Sequence, residues 1–180
     1  MPFLMEMDQI SKVTAASAII AVWVGVAVGS PFVGWLSDRL GYRRLLLLIP
    51  KILGFIAMML IIFVHVHLFI LYILLFFVGF SASGQALSFA LSRENNKAHV
   101  ASTACGFNNM ATFLSGALLQ PLVGIILDVC QKHSVAMKST LYSVHDYQIA
   151  LGCTLPICYV IGIVMVLFFI KETYCMSVVE

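Results

Sequence analysis

Five long stretches almost free of charge dominate this chain of 180 residues: 13–36, 45–64, 68–91, 100–127 and 147–170. Each reaches the roughly 20 residues with which a helix crosses about 30 Å of hydrocarbon. A backbone in lipid must satisfy its polar groups internally, so such stretches are expected as helices and the fold class as all-α and integral to a membrane. Residues 13–170 then form one five-helix domain, with 1–12 as an outer N-terminal segment and 171–180 as a cytoplasmic tail. Composition agrees. Charged residues make up 10% of the chain, against about 25% in soluble proteins, and the mean hydropathy is +1.04.

A net charge of +2 excludes nucleic acid as a partner and leaves the bilayer itself as the first one. Glu6, Asp8 and Lys12 stand where a signal peptide needs a basic start and a short apolar core, so the first apolar stretch stays in the mature chain. The five cysteines form no CxxC pair and read as small hydrophobes. Orientation follows from the cations. Arg39, Arg43, Arg44, Lys51, Arg93, Lys97 and Lys171 belong to one set of ends, and Lys12, Lys132 and Lys138 to the other. The richer set is expected in the cytoplasm, with the C-terminus, and the loop 128–146 outside. Lys51 alone puts a formal charge inside a span, where it reads as an anchor that snorkels to the interface.

The spans also carry marks of packing. Ser17, Ala21, Gly25 and Gly29 recur every four residues and let a second helix approach to backbone contact. Pro31, Pro121 and Pro156 each remove a helix hydrogen bond. In the third span Ser81, Gln85, Ser88 and Ser92 share one stripe, turned away from lipid. Gln85 has donors and an acceptor that lipid cannot satisfy, and either lines a cavity or bonds a neighbouring helix. In the fourth, Asn108, Thr112 and Ser115 share a face, with Asn109 and Gln120 on an adjacent one. They either clamp helices together or line a path for a polar solute.

Catalytic and cofactor chemistry find no support. The serines lack a histidine or acid at their depth, no phosphate-cradling loop is present, and His65 with His67 offers only two ligands at a turn. No enzyme activity, metal or cofactor is expected.

Between the first two spans lies a charged, glycine-framed loop: Gly34, Leu36, Ser37, Asp38, Arg39, Gly41, Arg43 and Arg44. Gly34 is expected to let the helix end pack closely, and Gly41 to let the backbone reverse. This loop resembles the signature loop of the major facilitator superfamily of secondary transporters. Arg93-Glu94 with 102–109 resembles the entry to that family's eleventh helix, and 119–124 its exit. Lys171-Glu172-Thr173 is similar to the charged end of its twelfth. The resemblance therefore aligns the five spans with helices eight to twelve, most of the C-terminal six-helix half.

That resemblance implies transport of a small polar metabolite or organic ion across a bacterial inner membrane, by rocking two halves about a site near the midplane. Gly34, Asp38, Arg39, Gly41, Arg43, Arg44 and Glu94 would serve gating, with Glu94 paired to Arg39 or Arg43 and Asp38 facing a helix of the opposite half. Ser81, Gln85, Ser88, Asn108, Asn109, Thr112 and Gln120 would line the path. The chain contains no first half and no seventh helix, so a complementary half is the expected partner and the chain alone is expected to be inactive. A non-transporting remnant or scaffold, or one subunit of a split transporter, are the alternative readings.

Overall fold

The computed structural model describes residues 2–8, 10–133 and 142–176, with the backbone alone at 132 and 133. Residues 134–141 of the 128–146 loop, with Lys138 among them, and the end of the tail lie outside these residues. The elements are α1 (Pro2–Asp8), α2 (Lys12–Leu40), α3 (Arg43–Phe63), α4 (Leu68–Ala82), α5 (Gly84–Glu94), α6 (Ala101–His133) and α7 (Val144–Phe168). Counting α4 and α5 as one interrupted span, five helices are long and apolar enough to cross a membrane. The protein is an all-helical membrane bundle.

Helix α2 starts where Ser11 Oγ accepts the Thr14 N–H at 3.2 Å. It stops at Gly41, whose φ of 73° lies in the left-handed region and whose N–H bonds the Ser37 carbonyl. The chain reverses there and α3 begins two residues later. The four-residue ladder of α2 lies along α4. A Cβ on Gly25 would strike the Phe76 carbonyl oxygen, and one on Gly79 would strike that of Val22, so the two backbones touch on both sides of the crossing. Ser17 Oγ and the Tyr72 hydroxyl join the same pair at 2.5 Å.

Two apolar clusters hold the bundle at its ends. Val33, Leu46, Leu47, Leu87, Leu91 and Val166 fill the end where α2 turns into α3. At the other, Phe3, Leu4 and Met7 of α1 pack on Ala18, Ile61, Leu71 and Leu75. Helix α1 is absent from the sequence reading, because one or two turns are too short to show a periodicity.

The third span also departs from expectation, since it is broken. At Ser83 the N–H and the hydroxyl both bond the Phe80 carbonyl, at 3.1 and 2.5 Å. This tightens one turn into i→i+3 geometry and separates α4 from α5. The prolines interrupt nothing: α2, α3, α6 and α7 run through Pro31, Pro50, Pro121 and Pro156. Helix α6 packs on α5 and α7 along one side and leaves the rest of its surface open.

Candidate functional site: a charged clasp and a polar cleft

At the α2–α3 turn, sequence-distant charges converge on Arg43, which is only 7% exposed. Its Nη1 donates to Asp38 Oδ1 at 2.6 Å and to Ser37 Oγ at 3.1 Å. Its Nη2 and Nε both donate to Glu94 Oε1, at 2.8 and 3.1 Å. Glu94, at the end of α5, also accepts the Thr173 hydroxyl through Oε2. Of the two arginines considered as its partner, Arg43 is therefore the one used. Arg39 instead stands 5.4 Å over the Trp35 ring.

A second pair of contacts is reciprocal. Glu172, just past α7, accepts the N–H groups of Arg43 and Arg44 at 2.7 and 2.9 Å, and so caps the start of α3. Arg44 in return donates through Nε to the Val166 carbonyl at 3.0 Å and through Nη2 to that of Leu167, and so caps the end of α7. Cys175 closes the corner by donating its S–H to the Ser37 carbonyl at 3.4 Å. Burial pushes this thiol above its ordinary range, with Glu94, Asp38 and Glu172 adding to the effect and Arg43 opposing it.

Gly41 turns the chain as the loop requires, but Gly34 meets no close neighbour. Nothing lies within 4 Å of a Cβ built there, so the tight packing expected of it belongs instead to Gly25, Gly29 and Gly79.

The polar stripe of the third span faces α6 and α7. Ser81 Oγ donates to the Val78 carbonyl and accepts the Tyr159 hydroxyl at 2.8 Å. Gln85 Nε2 donates to Thr112 Oγ1 at 2.9 Å, and Asn108 Nδ2 to Ser88 Oγ at 2.9 Å. These bonds tie α5 to α6. They also border a cleft of about 380 Å³ between α3, α5, α6 and α7, with Lys51 in its wall. A neighbouring cleft of about 460 Å³ shares Ser88 and Ile170 with it and reaches Asn95, Asn96 and Lys171 at the charged end.

Lys51 is the residue that sequence reasoning placed wrongly. Its stem lies across Gly162 of α7, with Nζ 3.6 Å from where a Cβ would stand. The ammonium thus faces the interior of the bundle. The signal available in sequence was its standing as the one formal charge within a span.

Asn109 and Gln120 are exposed and make no hydrogen bond among the described residues. With Gly106, Gly116 and Gly124 they occupy about 80° of the α6 wheel, beside the packed face. The three glycines have open space where a side chain would stand. Phe107, Leu114, Leu118 and Ile125 form a separate apolar face. Phe113, also exposed, stands in the same sector, so between 106 and 124 helix α6 has a third surface of two amides, three glycines and one aromatic ring, with open space at the glycines.

The family model described as Major Facilitator Superfamily matches residues 1–174. The chain belongs to the major facilitator superfamily. Among curated proteins and among solved structures, none matches. Its family is one of transporters. Ser81, Ser88 and Ser92 donate to backbone carbonyls of their own helix. The loop between the first two spans is a structural clasp, because it gathers α2, α3, α5 and the segment after α7 at one end.

Proposed function

We propose that this chain is part of a transporter that moves a small polar metabolite or organic ion by alternating access, and that it corresponds to helices eight to twelve of the family's fold. The observation that carries the reading is the third surface of α6. In a membrane helix, exposed Asn109 and Gln120, on one strip with three glycines and Phe113, are costly against lipid and favourable against water or a second half. Ser81, Gln85, Ser88, Asn108 and Thr112 continue this polarity into the bundle and complete the path. A complementary half covers α6 in the working transporter, and the five helices alone, which do not enclose this surface, are inactive.

The clasp supplies the gate. Asp38 is the exposed member of the Arg43 cluster, and in this reading its free oxygen faces the opposite half while Arg43, Glu94, Arg44, Arg39 and the Gly41 turn hold the near side together. Gly34 leaves room for that approach. Arg39, Arg43, Arg44, Arg93, Lys97 and Lys171 on this side support a cytoplasmic location for it and the C-terminus, in a bacterial inner membrane.

Cysteine accessibility tests the reading. In a background without native cysteines, Asn109→Cys and Gln120→Cys are labelled in intact membranes by a membrane-impermeant maleimide, with Leu118→Cys as the apolar control. Thiolate forms in water and not in hydrocarbon, so the first two are expected to react at least about tenfold faster. Equal, slow labelling at all three positions refutes a wet path along α6.

A further inference from the structure

We infer that the cleft between α3, α5, α6 and α7 binds an organic anion through the Lys51 ammonium and the Gln85 amide, and that the substrate class of this protein is therefore anionic. The inference rests on the transport reading only for the word substrate.

Lys51 lies eight residues into α3, about 12 Å from Arg43, and meets α7 at Gly162, about 9 Å short of the helix end at Phe168. An ammonium at that depth is expensive unless something compensates it. A lysine that snorkels would carry its stem out along its own helix toward water. This one crosses to the facing helix instead, where the missing side chain of Gly162 leaves a groove for Cδ, Cε and Nζ at 3.6 to 3.9 Å from the would-be Cβ.

No protein group compensates it there. Lys51 has no hydrogen bond or ion pair among the described residues, and no carboxylate lines either its own cleft or the neighbouring one. The acids nearest in the fold are otherwise engaged. Asp38 and Glu94 hold Arg43, and Glu172 caps α3.

The remaining polar groups say what is left to bind. The hydroxyls of Ser81, Ser88 and Thr112 give their single protons to the carbonyls of Val78, Gln85 and Asn108. Gln85 uses one N–H on Thr112 and keeps a second. The unspent donors are thus that N–H and the three of Lys51, all suited to one carboxylate or phosphate group. Leu47, Met165, Val166 and Ile170 also line the cleft, so the anion bears an apolar body. A volume of about 380 Å³ suits a small ligand. Lys171 lines the neighbouring cleft and adds a second cation on that side.

Such chemistry arises in a soluble organic acid or in the head group of an anionic lipid, and the test separates them. The full chain in maltoside micelles is melted by circular dichroism with benzoate or with dioleoylphosphatidylglycerol. Benzamide and dioleoylphosphatidylcholine serve as the controls without net charge. A rise in melting temperature with an anionic probe and not with its control, kept in Lys51→Arg and weakened about tenfold in apparent affinity in Lys51→Gln, supports the site. A response to benzoate assigns it to a soluble acid, and a response to phosphatidylglycerol alone to a lipid, which overturns the substrate claim. No response to either probe, or an undiminished response in Lys51→Gln, overturns the site. Should Lys51→Gln not fold, Gly162→Leu fills the groove instead and is expected to abolish the response. The two readings fail separately: an unlabelled α6 strip with an intact Lys51-dependent response removes the transport path alone, and a labelled strip without that response removes the anion site alone.

Discussion

Replacing Arg43 by alanine removes the hub of the clasp, and its cost can be worked leg by leg. The Glu94 side chain is 13% exposed and that of Asp38 67%. The two bonds to Glu94 share one oxygen, Oε1, and count as a single charge-assisted contact of about 1.5–3 kcal/mol. The Asp38 leg is solvated and contributes about 0.2–1 kcal/mol. Removing one member of a buried pair costs about 3–5 kcal/mol because the other is left desolvated. Glu94 keeps the Thr173 hydroxyl, so Arg43→Ala is expected near the lower figure, about 3 kcal/mol. Asp38→Ala should cost below about 1 kcal/mol. Arg43→Ala combined with Glu94→Ala should fall short of the sum of the two single losses by about 2 kcal/mol. Unfolding by dodecyl sulfate in mixed micelles, followed by circular dichroism, measures all four variants. Equal losses for Asp38→Ala and Glu94→Ala, or an additive double variant, would refute the assignment of Glu94 as the main partner.

Two glycines of the same span type should respond oppositely to a methyl group. Gly79→Ala drives Cβ into the Val22 carbonyl and is expected to cost about 1–3 kcal/mol in the same unfolding assay. Gly34→Ala meets nothing within 4 Å and should gain up to about 1 kcal/mol from helix propensity, so a loss there would show a neighbour at Gly34. The Cys175 thiol should alkylate more slowly in the folded chain than in the denatured one, with the labelling midpoint above its ordinary value of 9.0. The sign for stability follows: the folded chain keeps a proton that the unfolded chain releases, so this residue's contribution falls as pH rises past 9.0. A midpoint equal to that of the denatured chain would contradict burial at this corner.

What could be read in advance was whatever repeats along one helix. The spacing of Ser17, Ala21, Gly25 and Gly29 states which face of α2 is thin, and α4 lies there. The stripe of Ser81, Gln85 and Ser88 states which face of the third span is wet or bonded, and α6 and α7 lie there. Gly41 was legible because a turn between two apolar runs demands a residue that accepts positive φ. Other features depend on a partner that spacing does not name. A glycine permits close approach without saying whether anything approaches, which is why Gly34 and Gly79 look alike in sequence and differ in the fold. Lys51 fits both an outward and an inward rotamer, and only Gly162, 111 residues later, decides between them. The break at Ser83 rests on one hydroxyl finding a carbonyl three residues back, a choice that serine makes in many unbroken helices. Function follows the same division. Of the residues read as lining a path, Ser81, Gln85, Ser88, Asn108 and Thr112 are hydrogen-bonded and Asn109 and Gln120 are exposed.

The reciprocal caps of Glu172 and Arg44 set an order in which this corner can be completed during synthesis. The first turn of α3 receives its acceptor from a side chain 129 residues further along. At ordinary elongation rates that interval is roughly 10 s, far longer than a helix needs to form. Throughout it the leading N–H groups of α3 are left to water or head groups, and Arg43 and Arg44 stand at the membrane surface without Glu172. The start of the second span is thus the last part of the bundle to be finished, and it is finished by residues that follow the final span. Arrested chains ending before and after Glu172 are consequently the natural substrates for watching the corner close.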